Sequence, residues 1–345
     1  MKPSILIIYT GGTIGMINDP ETGALGAFDF EHILVHVPAL KRFGFQLNTI
    51  SFENPIDSSD INPEVWIKLA QIIKSNHDKY DGFVILHGTD TMSYSASALS
   101  FMLENLHKPV IFTGSQLPIE TIRTDGKENI ITSIEIAAAK RNGKPVVPEV
   151  CIYFENNLYR GNRTRKYNAE HFDAFESPNY PPLAEVGIHI KYNFEAIHYP
   201  SQKKLINIKT NLDTNIGILK LFPGINEEFV TAVLSTKGLK ALVLETFGSG
   251  NAPTAEWFVS LLKNAINKNI IILNITQCNA GSVELGRYET SAQLAEIGIV
   301  GGGDLTTEAA ITKLMFLFGQ PLNFAEIKKY LQISIAGEIS VHRDY

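Results

Sequence analysis

Two short segments carry the residue types that could do chemistry. They are Tyr9-Thr10-Gly11-Gly12-Thr13-Ile14-Gly15 and His87-Gly88-Thr89-Asp90-Thr91-Met92. In each, glycine lets the backbone come close to a ligand, and threonine supplies a hydroxyl able to attack or to bind. Each continues an apolar run, Ile5 to Tyr9 in one case and Gly82 to Leu86 in the other. Ligands of open parallel sheets bind beyond the carboxyl ends of the strands, which is where both segments fall. A plainer account makes them glycine turns with threonine helix caps, common in α/β proteins. Two such segments, each at a strand end, weigh toward a binding site.

Other chemistries find less support. Gly11-Gly12-Thr13-Ile14-Gly15 lacks the G-x-G-x-x-G spacing, and no Gly-Lys-Ser/Thr phosphate loop occurs. Gly301-Gly302-Gly303-Asp304 precedes a helix, where Asp304 or Thr306 reads more simply as a cap. His32 and His36 are four apart without an H-E-x-x-H pattern, so a partly solvated helix face accounts for them. No serine sits in a G-x-S-x-G elbow. No metal or cofactor is expected.

The elements that must position these residues alternate along the chain. Ile5 to Tyr9, Gly82 to Leu86 and Pro109 to Phe112 are continuously apolar, as strands covered on both faces are. Ser93 to Leu106 and Asp125 to Lys140 have helical spacing, the second closed by Asn142-Gly143. Tyr199 to Asn215 is polar, Lys-rich and without a clear element, as an interdomain connector would be. Beyond it, strands are expected at Ile216 to Leu221, Ala241 to Glu245 and Ile270 to Ile275. Helices are expected at Thr254 to Ile266, Thr306 to Phe318 and Asn323 to Ile333. The expected division is therefore residues 1–198, a linker at 199–215, and a smaller α/β domain at 216–345.

Composition narrows the function classes. The 345 residues hold 30 Lys+Arg against 36 Asp+Glu, a net charge of −6, which disfavours nucleic acid and anionic lipid as partners. Charged residues are 19% of the chain, below the roughly 25% of ordinary soluble domains, and this points to surface buried between subunits. Two cysteines, Cys151 and Cys278, build no disulfide framework. The apolar run after Met1 is only five residues long, too short for a signal peptide, and no run approaches a spanning helix. A cytoplasmic protein without membrane contact is expected.

The ordered set of motifs resembles the bacterial L-asparaginase family. Beside the two threonine segments stand Asp57-Ser58-Ser59-Asp60, Thr113-Gly114-Ser115-Gln116, Arg123-Thr124-Asp125-Gly126 and Tyr159 to Lys166. Phe247-Gly248-Ser249-Gly250-Asn251-Ala252-Pro253 and Thr276-Gln277-Cys278 continue the match, so it covers essentially the whole chain. The likeness is greatest to the cytoplasmic type I branch. It implies a larger N-terminal domain with a mainly parallel sheet in flavodoxin-like order, and a smaller Rossmann-like C-terminal domain. It also implies hydrolysis of L-asparagine to L-aspartate and ammonia through a threonine acyl-enzyme, without a cofactor, in a homotetramer built as a dimer of dimers.

The resemblance assigns roles residue by residue. Thr13 is the candidate nucleophile. Thr89, Asp90 and Lys166 form a second constellation in which Lys166 acts on Thr89, since a hydroxyl at neutral pH needs an adjacent base. Asp57, Ser58, Ser59 and Gly88 match the substrate-binding loops. Asp90 matches the acid that pairs with the α-ammonium, and Asn251 a residue reaching in from a neighbouring subunit. Outside this context, Ser58 and Ser59 would be an ordinary cap before Pro63, and Lys166 a solvated lysine.

Two departures from the family stand out. The mobile loop after Thr13 carries no tyrosine: none lies between Tyr9 and Tyr80, and the family's position falls near Ala24. Placing a tyrosine at Ala24 is therefore expected to raise kcat, and an unchanged rate would contradict that. Second, the positions of the type I effector site hold Arg165 and Glu245, so weak or absent cooperativity is expected. Three alternatives remain: a glutaminase, a subunit of a tRNA amidotransferase, and a non-catalytic amino-acid sensor. The first motif beginning at Thr10 and the negative net charge count against tRNA docking. The presence of Thr13, Thr89, Asp90 and Lys166 together counts against the sensor. Cleavage of the chain at Gly12-Thr13 or Gly88-Thr89, as in self-processing threonine amidases, would show as fragments on a denaturing gel.

Overall fold

The computed structural model describes residues 2–15, 17–18, 25–26, 35–200, 204–286 and 289–340. The chain forms two units, Met1–Ser177 with Pro181–Lys209, and Pro178–Tyr180 with Thr210–Tyr345.

The first unit is built on a mixed sheet of eight strands. They are β1 (Ser4–Tyr9), β2 (Gln46–Ser51), β3 (Gly82–Leu86), β4 (Val110–Thr113), β5 (Val150–Phe154), β6 (Asn157–Arg160), β7 (Ala184–Val186) and β8 (Ile190–Tyr192). Their order is β8-β7-β6-β5-β4-β3-β1-β2. The run β5-β4-β3-β1-β2 is parallel, which is the 2-1-3-4-5 order expected of a flavodoxin-like sheet. β6, β7 and β8 extend it antiparallel. The side chains of β3, β4 and β5 are buried throughout, so their continuous apolarity is explained by cover on both faces. β2 lies at the free edge, where QLNTIS alternates exposed and half-buried positions and so gives no apolar run in the sequence.

Among the described residues, the connections between these strands hold α1 (Pro63–Asn76), α2 (Met92–Met102) and α3 (Gly126–Ala138). α1 is capped by Asn62, whose Oδ1 accepts the Glu64 N–H at 3.0 Å, so neither Ser58 nor Ser59 caps it. α2 is shorter than its periodicity predicts. Leu103–Glu104 leaves the helix to pair antiparallel with Asn207–Ile208, two residues of the expected connector. α3 likewise stops before Lys140. Lys140–Arg141 pairs with Lys144–Pro145 around Asn142 (φ 53°) and Gly143 (φ 76°), a two-residue hairpin turn in place of a helix cap.

The second unit has four parallel strands in sequential order: β9 (Ile216–Lys220), β10 (Ala241–Thr246), β11 (Ile271–Thr276) and β12 (Val300–Gly301). Helices α4 (Glu227–Leu234), α5 (Glu256–Asn267), α6 (Glu289–Glu296), α7 (Thr307–Phe318) and α8 (Phe324–Leu331) complete it. Leu242, Leu244 and Ile272 of the sheet pack with Phe258 and Leu262 of α5 in its core. Thr306 caps α7, accepting the Ala309 N–H at 3.1 Å, as read from the glycine-rich approach. Among the described residues, no helix is long and apolar enough to cross a membrane.

Candidate active site

The switch point of the first sheet lies between β1 and β3, since the chain leaves β1 in one direction to reach β2 and returns to the other side for β3. Tyr9 and Leu86 are partners at the ends of these strands. The two threonine segments are therefore neighbours in space. Thr10 fixes the pairing, its N–H and its hydroxyl both donating to Leu86 O at 3.0 Å.

Glycine makes the approach of these loops possible. Gly11 and Gly12 have φ of +133° and +90°, which side chains rarely adopt. A Cβ on Gly12 would fall 2.4 Å from Gly88 N, and one on Gly11 2.2 Å from Ile56 O. On Gly88, it would fall 2.6 Å from the Ser58 side chain. The strand ends β1 and β3 and the 56–59 loop thus meet almost backbone to backbone. Thr13, Ser58 and Thr89 stand on the rims of these contacts. Thr13 is half-buried and opens a short turn to Gly15, against which the Tyr9 hydroxyl rests from below. Burial pushes the Tyr9 phenol up to about 12.

Lys166 completes a polar cluster at the end of β3. Its Nζ donates to Thr89 Oγ1 at 2.8 Å and to Asp90 Oδ1 at 2.7 Å. The Lys166 side chain is 16% exposed, whereas that of Asp90 is 65% exposed and open to a ligand. The close seat of the 161–163 turn on α2 brings Lys166 here: a Cβ on Gly161 would fall 2.9 Å from Ala96 Cβ. Thr89 Oγ1 in turn donates to Gln116 Oε1 at 3.2 Å.

His87 supports the second threonine segment from inside. The Trp66 indole donates to Ser95 Oγ, and Ser95 meets His87 Nε2, both at 2.9 Å. His87 Nδ1 lies 2.6 Å from Gly88 O, an acceptor, so Nδ1 carries the proton and Nε2 accepts from Ser95. Burial lowers the His87 pKa to about 4 and keeps the ring neutral. With the Gly88 carbonyl turned to this ring, the planar peptide sends the Thr89 N–H the opposite way.

The 57–60 loop is held by its own residues. Asp57 Oδ1 accepts from Ser59 N at 2.8 Å and Ser59 Oγ at 2.7 Å, and these bonds keep its carboxyl below the usual range. Thr91 begins α2, yet its hydroxyl caps nothing; it donates to Ser58 O at 2.6 Å and ties this loop to β3. Asn251 belongs to the second unit, in the turn after β10, where its N–H and carbonyl pair with Phe247 at 2.8 and 2.9 Å. The Glu245 carboxylate is occupied within the second unit, accepting from Thr307 Oγ1 at 2.6 Å with Lys220 Nζ at 3.9 Å. Ala24 and His32 lie outside the described residues. His36 pairs with Glu120 at 3.5 Å, and the described residues contain no group of three metal-ligating side chains.

Residues 4–198 match the family model for the asparaginase N-terminal domain, and residues 215–331 that for the glutaminase/asparaginase C-terminal domain. The chain belongs to the asparaginase family. L-asparaginase 1 of Escherichia coli K12 is 43% identical over 98% of both chains. The structure of L-asparaginase I from Vibrio cholerae superposes with a TM-score of 0.90 at 40% identity, covering 99% of this chain and all of that one. A mouse protein named 60 kDa lysophospholipase is 39% identical over 98% of this chain and 62% of its own length. Within this family frame, Gln116 and the Trp66–Ser95–His87 chain are the parts that sequence reading did not single out as site residues. Gln116 ends the Thr113-Gly114-Ser115-Gln116 segment, but nothing in its spacing tells that its amide meets Thr89.

Proposed function

We propose that this protein hydrolyses L-asparagine to L-aspartate and ammonia. The observation that carries the reading is the Lys166–Thr89–Asp90 cluster at the sheet's switch point, a half-buried ammonium on a threonine hydroxyl beside an open carboxylate. The full-length likeness to asparaginases supports the same conclusion.

In this reading, the Thr13 hydroxyl adds to the side-chain amide carbon, the carbon–nitrogen bond breaks, and ammonia leaves with a proton. Water then cleaves the Thr13 ester and regenerates the hydroxyl. Lys166 moves protons through Thr89, a role that requires a group within hydrogen-bond reach. Asp90 pairs with the α-ammonium, and Asp57, Ser58, Ser59 and Gly88 bound the amino-acid end. Asn251 reaches the site of a neighbouring subunit in a homotetramer, a dimer of dimers, working in the cytoplasm. Asparagine and glutamine differ by one methylene, which a pocket distinguishes by about 1–3 kcal/mol.

The test is ammonia release from L-asparagine and L-glutamine by the wild type, Thr13→Ala and Thr89→Ala. Both variants are expected to lose turnover while remaining folded. Activity retained in Thr13→Ala would move the nucleophile to Thr89, and no ammonia from either substrate would favour an amino-acid sensor.

A further inference from the structure

The loop after β4 touches the catalytic cluster, and its support is unusual. Gln116 Nε2 donates to Ala169 O at 3.2 Å and to His171 O at 3.1 Å. With both amide hydrogens committed to carbonyls, the oxygen is the end that faces Thr89. An acceptor there draws the Thr89 proton toward Gln116 and leaves a lone pair of Thr89 Oγ1 for Lys166 Nζ. Gln116 thereby fixes the rotation of the hydroxyl on which Lys166 works.

Gln116 is itself fixed from beneath by Asp125. Asp125 Oδ2 accepts the Gln116 N–H at 2.9 Å, and Oδ1 lies 3.1 Å from the same nitrogen and 3.2 Å from Leu117 N. Asn129 Nδ2 joins Asp125 Oδ2 to Gly114 O, at 3.3 and 3.0 Å. Thr124 Oγ1 donates to Leu117 O at 3.1 Å. Asp125 occupies the N-cap position of α3, where a carboxylate ordinarily accepts from its own helix. Here it makes no side-chain cap bond and turns to the 116–117 loop instead. It is buried, and that burial pushes its carboxyl up against the opposing pull of the Gln116 and Leu117 N–H groups. A charge held out of water at a helix start, turned to the N–H groups of another loop and meeting its own helix through the Asn129 side chain, is a costly arrangement whose visible product is the placement of Gln116.

We propose that Asp125 is a positioning residue for amide hydrolysis: by gathering the N–H groups of Gln116 and Leu117, it holds the Gln116 amide oxygen against Thr89 and so orients the hydroxyl that Lys166 engages. This deepens the hydrolase reading and rests on it. Asp125 touches neither substrate nor reacting atoms in this role.

The test is a double-mutant cycle on the full-length protein, measuring kcat and KM for L-asparagine. Gln116→Ala and Asp125→Asn are each expected to lower kcat roughly tenfold, the scale of one misplaced hydrogen bond, with KM changed less than about twofold. The double variant is expected to turn over no more slowly than Asp125→Asn alone, because both substitutions remove the same contact. Gln116→Ala leaves the residue's own N–H bonded to Asp125, so it tests the contact even if Asp125→Asn fails to fold. An unchanged kcat in Gln116→Ala, or effects that multiply in the double variant, would overturn the proposal. A wild type that releases no ammonia would fail the hydrolase reading itself, and this proposal with it.

Discussion

Gly12 and Gly88 meet backbone to backbone, so that a Cβ on Gly12 would stand 2.4 Å from Gly88 N. The contact locks the end of β1 to the end of β3 and places Thr13 beside Thr89. Gly12 also holds φ at +90°, so alanine there combines backbone strain with a clash. Gly12→Ala is expected to lower stability by about 3 kcal/mol and to abolish turnover. Gly143 is the control: its φ is +76°, but nothing lies within 4 Å of a Cβ. Gly143→Ala is expected to cost only about 1 kcal/mol and to leave kcat intact. Urea unfolding of the two variants makes the comparison, and equal losses would contradict the close-approach account.

Much of this was legible in the sequence, for definite reasons. β1, β3 and β4 are buried on both faces, so their apolar runs stand out, and glycine beside threonine at two of their ends marks the site. β2 leaves no mark in the sequence because an edge strand needs no apolar run, and Asn142-Gly143 is ambiguous there because the same pair can end a helix or turn a hairpin. Lys166 emerged only through resemblance, since its meeting with Thr89 spans 77 residues of chain. The part played by Asp125 was hidden for a related reason. A carboxylate before a helix reads as a cap, and only tertiary structure shows it facing another loop.

His87 makes stability depend on pH. Its folded pKa is lowered from 6.5 to about 4, so between those values the unfolded chain binds the proton more readily. The contribution is fully present above pH 6.5 and is lost as the pH falls to about 4, to the extent of about 3 kcal/mol. Chemical unfolding at pH 7, 5.5 and 4.5 is expected to show this decline, and His87→Gln to show a shallower one. Parallel declines in the two proteins would contradict a buried neutral histidine.

Lys313 and Glu338 form an ion pair at 2.6 Å with both side chains fully buried. Lys313 Nζ also donates to Ile333 O at 2.7 Å, and Glu338 accepts from the Ile335 and Ala336 N–H groups. Removing one partner leaves a buried charge uncompensated. Lys313→Met is expected to destabilise the protein by about 3–5 kcal/mol, and adding Glu338→Gln to recover part of the loss. Thermal and urea unfolding read both values. A near-neutral Lys313→Met would mean that water reaches the pair.

Glu245 bears on cooperativity. Its carboxylate is buried and engaged by Thr307 and Lys220, so a second carboxylate brought to it would meet like charge. Initial rates against L-asparagine are expected to follow a hyperbola. A strongly sigmoidal curve would place an effector site that this chemistry does not provide.

Lys166 Nζ stands 2.8 Å from Thr89 Oγ1, the distance over which proton transfer through Thr89 is proposed to run. Lys166→Met keeps much of the stem and removes only the ammonium, so its steady-state kinetics with L-asparagine test that claim directly. The expected result is a fall in kcat of roughly a hundredfold to ten-thousandfold, the range of lost general acid–base catalysis, in a protein that unfolds at nearly the wild-type temperature. A folded Lys166→Met enzyme with kcat close to that of the wild type would contradict it.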